Sequence, residues 1–476
     1  MQVVMRVNVW VPSELKWRKE ETTWGGKKYK FPRKCMPAGV LAIHQYVCNY
    51  CNGESRWMHL LLSTHRLSIA IKSPHTLKRD SAAPSAFFFN PTLLSVSVFL
   101  SLMAKFWLCF LCVLLVGRLV SGQDDDQFSP GGSKREMVPA MFIFGDSLID
   151  NGNNNNLPSF AKANYFPYGI DFEGGPTGRF SNGYTMVDEI AEQLGLPLTP
   201  AYSEASGEEV LHGVNFASAA AGILDITGRN FVGRIPFNQQ IRNFESTLDQ
   251  ITDNLGADNV ADAIAKCIFF VGMGSNDYLN NYLMPNYATR NQYNGQQFAN
   301  LLIQQYNRQL NTLYNLGARR FVLAGLGIMG CIPSILAQSP TSRCSDDVNH
   351  LILPFNANVR AMVNRLNSNL PGAKFIYIDV YRMFQDILSN SRNYGFSVIN
   401  RGCCGIGRNS GQITCLPFQT PCSNREQYVF WDAFHPTEAV NIIMGRKAFN
   451  GDKSVVYPMN IEQLANLDLE PNEQKP

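Results

Sequence analysis

No Asn-x-Ser/Thr sequon occurs in this chain: Asn90 is followed by Pro, so N-glycosylation is not expected. Internal repeats are missing too, which excludes folds stacked from one recurring unit. Basic charge is scarce outside the N-terminal region. The first 102 residues hold 14 of the 41 Lys and Arg but 5 of the 38 Asp and Glu, so the net +3 conceals an acidic remainder. A basic leader on an acidic body gives no reason to expect a nucleic-acid partner. Histidine is sparse: of the 7 in the chain, only His212, His350 and His435 lie beyond the leader, which leaves few candidates for a general base.

Among the features that are present, one concerns export. Met103-Ala104-Lys105 opens a short basic segment, Phe106 to Val116 is apolar throughout, and Val120-Ser121-Gly122 ends it with small residues. Basic, apolar and small-residue regions in that order make a secretory signal peptide. Its position implies that Met103 is the initiator and that residues 1–102 are a basic leader, either translated and disordered or an error of the gene model. The alternative is a signal anchor over Thr92–Val116, with its basic flank held in the cytoplasm. Both readings export the C-terminal body, without stable membrane insertion of its mature form. The expected organisation is therefore a leader (1–102), a signal peptide (103–122), a polar linker (123–137) and a folded body (138–476). That body is long enough to bury a large core.

The cysteines fit export. Cys267, Cys331, Cys344, Cys403, Cys404, Cys415 and Cys422 lie beyond the signal segment, and an oxidising compartment lets six of them pair. Their connectivity is open. Cys267 lies in an apolar run and reads as a buried free thiol. In the leader, Cys48 and Cys51 have zinc-ligand spacing, with His44, His59 and His65 nearby. The remaining spacings fit no common finger, and chance is the plainer explanation.

Within the body, short apolar runs alternate with longer helical patterns. The runs are Met141–Phe144, a weaker Val214–Ala217, Cys267–Val271, Phe321–Ala324 and Lys374–Ile378. Helices are expected over Tyr184–Leu194, Ile235–Ile251, Asn291–Leu316 and Leu351–Leu370, with Gly or Pro-Gly after most of them. Continuous apolar strands alternating with helices predict a parallel sheet covered on both faces. The Asn-rich run Asn151–Asn156 reads as a polar loop.

In such a sheet, ligands bind beyond the carboxyl ends of the strands, and four short segments fall there or near the C-terminus. Gly145-Asp146-Ser147-Leu148 comes after the first strand. Asn215-Phe216-Ala217-Ser218-Ala219-Ala220-Ala221-Gly222 comes after or overlaps the second. Gly274-Ser275-Asn276-Asp277 comes after the third, and Asp432-Ala433-Phe434-His435 is last. Acyl transfer by a nucleophile needs a hydroxyl, a base, a group to orient the base, and donors for the oxyanion. Ser147 offers the hydroxyl and His435 the base, with Asp432 three residues before it. Asn276 offers a side-chain donor, and the Ala220 and Gly222 region a backbone N–H. Each segment alone has a plainer explanation: a helix cap for Ser147, an Asx-turn for Asn276, a helix start for Asp432 and His435. All four in one chain point to acyl transfer.

The same segments resemble the SGNH hydrolases, the GDSL esterase/lipase family. Four further stretches resemble its plant secreted branch: Asp150–Asn154, Pro176–Gly183, Arg401–Gly405 and Phe430–Thr437. The resemblance implies a three-layer α/β/α sandwich around a five-stranded parallel sheet. It implies hydrolysis of small-molecule or lipid esters through an acyl-enzyme, with neither metal nor organic cofactor. By position it makes Ser147, Asp432 and His435 catalytic, and Ser147, Ala220, Gly222 and Asn276 the oxyanion hole. Where the family has a glycine donor, this chain has Ala220, with Gly222 two residues on. An acyltransferase with the same triad, or a binding protein that lost turnover, are the alternatives. Neither the ester nor the oligomeric state is set by the sequence.

Overall fold

The structure, a computed structural model, describes residues 135–468 and four short strands before them. The chain divides into two compact units, Met1–Asp126 and Gln127–Pro476. In the first, β1 (Glu21–Trp24) pairs antiparallel with β2 (Lys27–Lys30), and β3 (Leu60–Leu62) with β4 (His65–Leu67). The proposed signal peptide and His44, Cys48, Cys51 and His59 lie outside the described residues, while His65 opens β4.

The second unit is built on β5 (Met141–Gly145), β6 (Ile268–Gly272), β7 (Arg320–Ala324) and β8 (Lys374–Ile378), which run parallel in register. A separate parallel pair, β9 (Val398–Gly402) and β10 (Tyr428–Phe430), lies outside this sheet. The two-residue β11 (Val456–Tyr457) adds antiparallel to β8, giving the order β11-β8-β7-β6-β5.

Strand side chains alternate between the two faces, as the pleat dictates. Phe142, Phe144, Phe269, Phe321 and Phe375 face one side, against α2 (Phe237–Leu255), α4 (Gly295–Asn315) and α5 (Asp346–Asn369). Met141, Ile143, Phe270, Val322 and Ile376 face the other, against α1 (Met186–Gln193), α6 (Val380–Ser389) and α7 (Glu438–Asn450). The helix α3 (Ala257–Lys266) leads into β6. The result is the three-layer α/β/α sandwich with a five-stranded, mostly parallel sheet.

The fifth strand is not the expected one. Val214–Ala217 lies parallel to β5 but joins it only through a bridge at Asn215. The ladder is interrupted because the Gly145 N–H goes to the Gln240 side chain of α2 at 3.0 Å, while the Gly145 carbonyl accepts both the Gln240 amide at 2.9 Å and the Ser218 N–H at 3.0 Å. The other edge bridges the backbone at Ala201 and is otherwise covered by side chains. Asn153 donates to the carbonyls of Asn215 and Ala217 at 2.8 and 2.7 Å, and Asn154 to that of Ala219 at 3.1 Å. The Asn-rich run is therefore no solvated loop. Asn151, Asn153 and Asn154 are buried and lace the segment to the turn after β5.

Helix boundaries moved for local reasons. The expected helix over Asn291–Leu316 begins instead at Gly295, because Asn294 and Gln297 exchange side-chain-to-backbone bonds at 2.9 Å in a capping box. The helix expected from Leu351 begins at Asp346, where the Ser345 hydroxyl accepts the Val348 N–H.

Candidate active site

β5 ends at Gly145, and the chain turns at once through Asp146 and Ser147. Gly145 is required by crowding: a Cβ there would sit 2.4 Å from Ile149 Cδ1 and 2.9 Å from the Gly272 carbonyl. The turn closes when the Asp150 N–H donates to the Asp146 carbonyl at 2.9 Å. Ser147 is left half-buried on the pocket wall, outside any helix.

The Asp432–His435 turn approaches from the far end of the chain, between β10 and α7. Trp431 N–H donates to the His435 carbonyl at 2.8 Å and closes the loop. Asp432 Oδ1 accepts the backbone N–H groups of Phe434 and His435, both at 2.8 Å, which fixes the carboxylate against its own turn. Gly402 of β9 lets the strand pass close by, since a Cβ there would meet the Asp432 carbonyl at 3.0 Å. His435 Nδ1 is 2.9 Å from both Asp432 oxygens, and His435 Nε2 is 2.8 Å from Ser147 Oγ. The Phe180 ring packs on the imidazole at 5.0 Å between centroids. The other two histidines of the body stand elsewhere: His350 is exposed on α5, and His212 meets only Glu136, at 3.7 Å on the surface.

Asp432 is fully buried, which by itself pushes its carboxyl up. The charge and hydrogen bond of His435, then Tyr168 and the Phe434 N–H, outweigh burial and hold it below the ordinary carboxylate value. Tyr168 is a contact that sequence reasoning missed. Its hydroxyl donates to Asp432 Oδ2 at 2.5 Å, and Thr414 Oγ1 donates to the same oxygen at 3.3 Å. Nothing in the local sequence announces a partner 264 positions away.

Asn276 comes after β6 in the helical turn Ser275–Asp277, beyond Gly274 with φ +124°. Its amide nitrogen donates to the Ala221 carbonyl at 2.9 Å, and its oxygen accepts from Asn280 at 2.6 Å. In the small-residue segment, the Ala219 N–H is taken by Asp150 Oδ2 at 2.8 Å and the Ala221 N–H by the Ser218 carbonyl at 3.1 Å. Ala220 lines the pocket with Ser147 and Asn276. Gly222 does not; a Cβ there would strike Thr227 Cγ2 at 2.5 Å and Asp277 Oδ2 at 2.7 Å. Asp277 binds the Ile223 N–H and the Thr227 hydroxyl, and burial pushes it up to about 6.

The rest of the pocket is apolar. Phe160, Phe231, Leu279, Ile328, Met329 and Phe384 contribute to its walls, and Lys162 is a lysine at its edge whose ammonium binds the Asn155 carbonyl. Among the described residues, no three His, Cys, Asp or Glu side chains cluster as metal ligands would. Disulfides Cys331–Cys344, Cys403–Cys422 and Cys404–Cys415 brace the surrounding loops, and Cys267 is free and buried. No helix among the described residues is long and apolar enough to cross a membrane.

A serine, an imidazole and a carboxylate gathered beyond the end of β5 in an α/β/α sandwich have the arrangement that ester hydrolases with a serine nucleophile use. The family model for GDSL-like Lipase/Acylhydrolase matches residues 141–448, and the chain belongs to that family. It is 69% identical over 333 residues to GDSL esterase/lipase At1g71691 of Arabidopsis thaliana, covering 70% of this chain and 87% of that protein. It is 56% identical over 335 residues to GDSL esterase/lipase At1g29670 of the same plant, covering 69% and 92%. It is 53% identical over 338 residues to At4g18970, covering 70% and 93%. Membership makes the chain a carboxylic ester hydrolase of the plant GDSL esterase/lipase type.

Proposed function

We propose that this chain is an exported serine esterase that cleaves acyl esters through a covalent intermediate on Ser147. The observation that carries the reading is the 2.8 Å approach of His435 Nε2 to Ser147 Oγ, with Asp432 behind the ring. His435 takes the hydroxyl proton as Oγ attacks the ester carbonyl, and Asp432 orients the ring and offsets its new charge. The oxyanion is held by the N–H groups of Ser147 and Ala220 and by the second N–H of Asn276. Of the two backbone candidates, Ala220 is assigned because it faces the pocket and Gly222 is packed against Thr227. His435 then protonates the leaving alcohol, and water enters to release the acid. The apolar wall suits an acyl or alcohol group of considerable length and disfavours a charged one.

Export is part of the proposal. Three disulfides in the body suit an oxidising compartment, and the segment from Met103 to Gly122 has the form of a cleaved signal. Sequencing the N-terminus of the protein recovered outside the cell tests this, with a start near Gln123 expected. Retention of residues 1–102 would contradict it. For the chemistry, purified protein is assayed against aryl esters of graded acyl length, with product analysis in the presence of added alcohol. Turnover lost in Ser147→Ala is expected. Full turnover in that variant would overturn the assignment.

A further inference from the structure

We infer that Tyr168 is a positioning residue for the reaction, fixing Oδ2 of the Asp432 carboxylate so that both oxygens stay on His435 Nδ1. This deepens the ester-hydrolysis reading and rests on it. Asp432 Oδ1 is satisfied by two backbone N–H groups of its own turn. Oδ2 has no such backbone support. It lies in a fully buried site, where an unpaired carboxylate oxygen is costly. Besides His435 Nδ1 at 2.9 Å, the Tyr168 hydroxyl supplies its short bond, and Thr414 Oγ1, at 3.3 Å, a long one.

A phenol suits this task because it is rigid and held on several sides. The Tyr168 ring packs edge-on to Tyr165, Phe180 and Trp431, with centroids 5.3, 5.8 and 6.1 Å away. Phe180 also touches the His435 ring, so one aromatic cluster sets both members of the Asp–His pair. Thr414 is fixed from the other side, since its neighbour Cys415 is bonded to Cys404 and accepts from the Tyr165 hydroxyl at 2.9 Å. Burial, then the nearby Asp432 charge, keeps the Tyr168 phenol protonated far above neutral pH, so it serves as a donor throughout the working range.

The hydroxyl has an electrostatic consequence that simple packing lacks. It draws carboxylate charge away from the imidazole. Removing it returns that charge to the ring and favours the protonated, inactive imidazole. The other titratable groups around the pair are Asp146 on the β5 turn, Tyr165 on the same loop as Tyr168, and Lys162 at the pocket edge.

The test is Tyr168→Phe in the full chain, with kcat and KM measured across pH on a soluble short-chain aryl ester. The expected result is a kcat lowered about tenfold, a KM little changed, and an acid limb moved upward by roughly half a pH unit. Thr414→Val moves the limb the same way by less. Replacing Tyr168 with a fluorinated tyrosine makes the phenol a stronger donor and moves the limb downward; it also serves if the Phe variant fails to fold. The proton resonance of His435 Nδ1–H gives a readout independent of turnover, and it shifts between wild type and Tyr168→Phe. An unmoved acid limb and an unmoved resonance would overturn the inference even if the ester reading stands. Absence of ester turnover in the wild type, with the resonance shifted, would instead count against the ester reading.

Discussion

Asn280 donates to the side-chain oxygen of Asn276 across 2.6 Å, and that bond fixes which end of the Asn276 amide is the oxygen and which the nitrogen. The amide nitrogen is then committed by one proton to the Ala221 carbonyl, and in the proposed oxyanion hole the other serves the substrate. Loss of one oxyanion donor costs roughly 10²–10³ in kcat, so Asn276→Ala should fall by that factor with little change in KM. Asn280→Ala leaves the donor present but unoriented, and a loss of about tenfold is expected. Because both act through one amide, the double variant should be no slower than Asn276→Ala alone. Steady-state kinetics on the four proteins checks this; additive losses would contradict it.

Ala220 has φ +66°, a left-handed conformation that a side chain disfavours. Its carbonyl lies where only Gly228 fits, since a Cβ on that glycine would come within 2.0 Å of it. Ala220→Gly relieves the strain and keeps the N–H. Activity should be retained, with stability raised by about 0.5–1 kcal/mol. Gly228→Ala forces the carbonyl to move and should cost activity as well as stability. Denaturant midpoints and kcat, measured together, test the pair.

Arg179 and Asp188 are both buried and joined by two bonds, at 2.7 and 2.8 Å. The pair anchors α1, because Asp188 also accepts the Thr185 N–H and hydroxyl at the helix start. Removing only Arg179 strands a charge in the interior. Arg179→Met should destabilise by about 3–5 kcal/mol. Arg179→Met with Asp188→Leu should recover part of that loss, as read from urea unfolding.

Asp146 carries a buried oxygen without a hydrogen-bond partner, and burial pushes its carboxyl up to about 7. The folded value lies above the unfolded one, so the neutral acid favours the fold. Its contribution is full below the unfolded value of 3.8 and is lost as pH rises through about 7. Asp150 and Asp277, both raised to about 6 by burial, act in the same direction. The melting temperature should therefore fall between about pH 4 and pH 7, and Asp146→Asn should flatten that fall. An equal slope in the variant would contradict the assignment.

The sheet was legible because its strands are short apolar runs, and Met141–Phe144 can be read directly from buried-strand pattern. The segment at Val214 was not, since the groups that interrupt and cover it are Gln240 and the asparagines of a distant run. Ser147, Asp432, His435 and Asn276 could be named because the chemistry demands those side chains at short, recognisable spacings. Tyr168, Asn280 and Gln240 could not. Each is an ordinary polar residue whose importance lies in a single contact with a group that only the fold brings near. The choice between Ala220 and Gly222 was likewise spatial, turning on which of them packs against Thr227 and Asp277.

The central claim is that Ser147 becomes acylated during turnover. Rapid quenching with an activated aryl ester, then mass spectrometry of the peptide containing Gly145-Asp146-Ser147, tests it directly. The predicted result is an acyl mass on Ser147 that decays as product forms and is absent in Ser147→Ala. A hydrolysing enzyme with no acyl group on that serine at any time would contradict it.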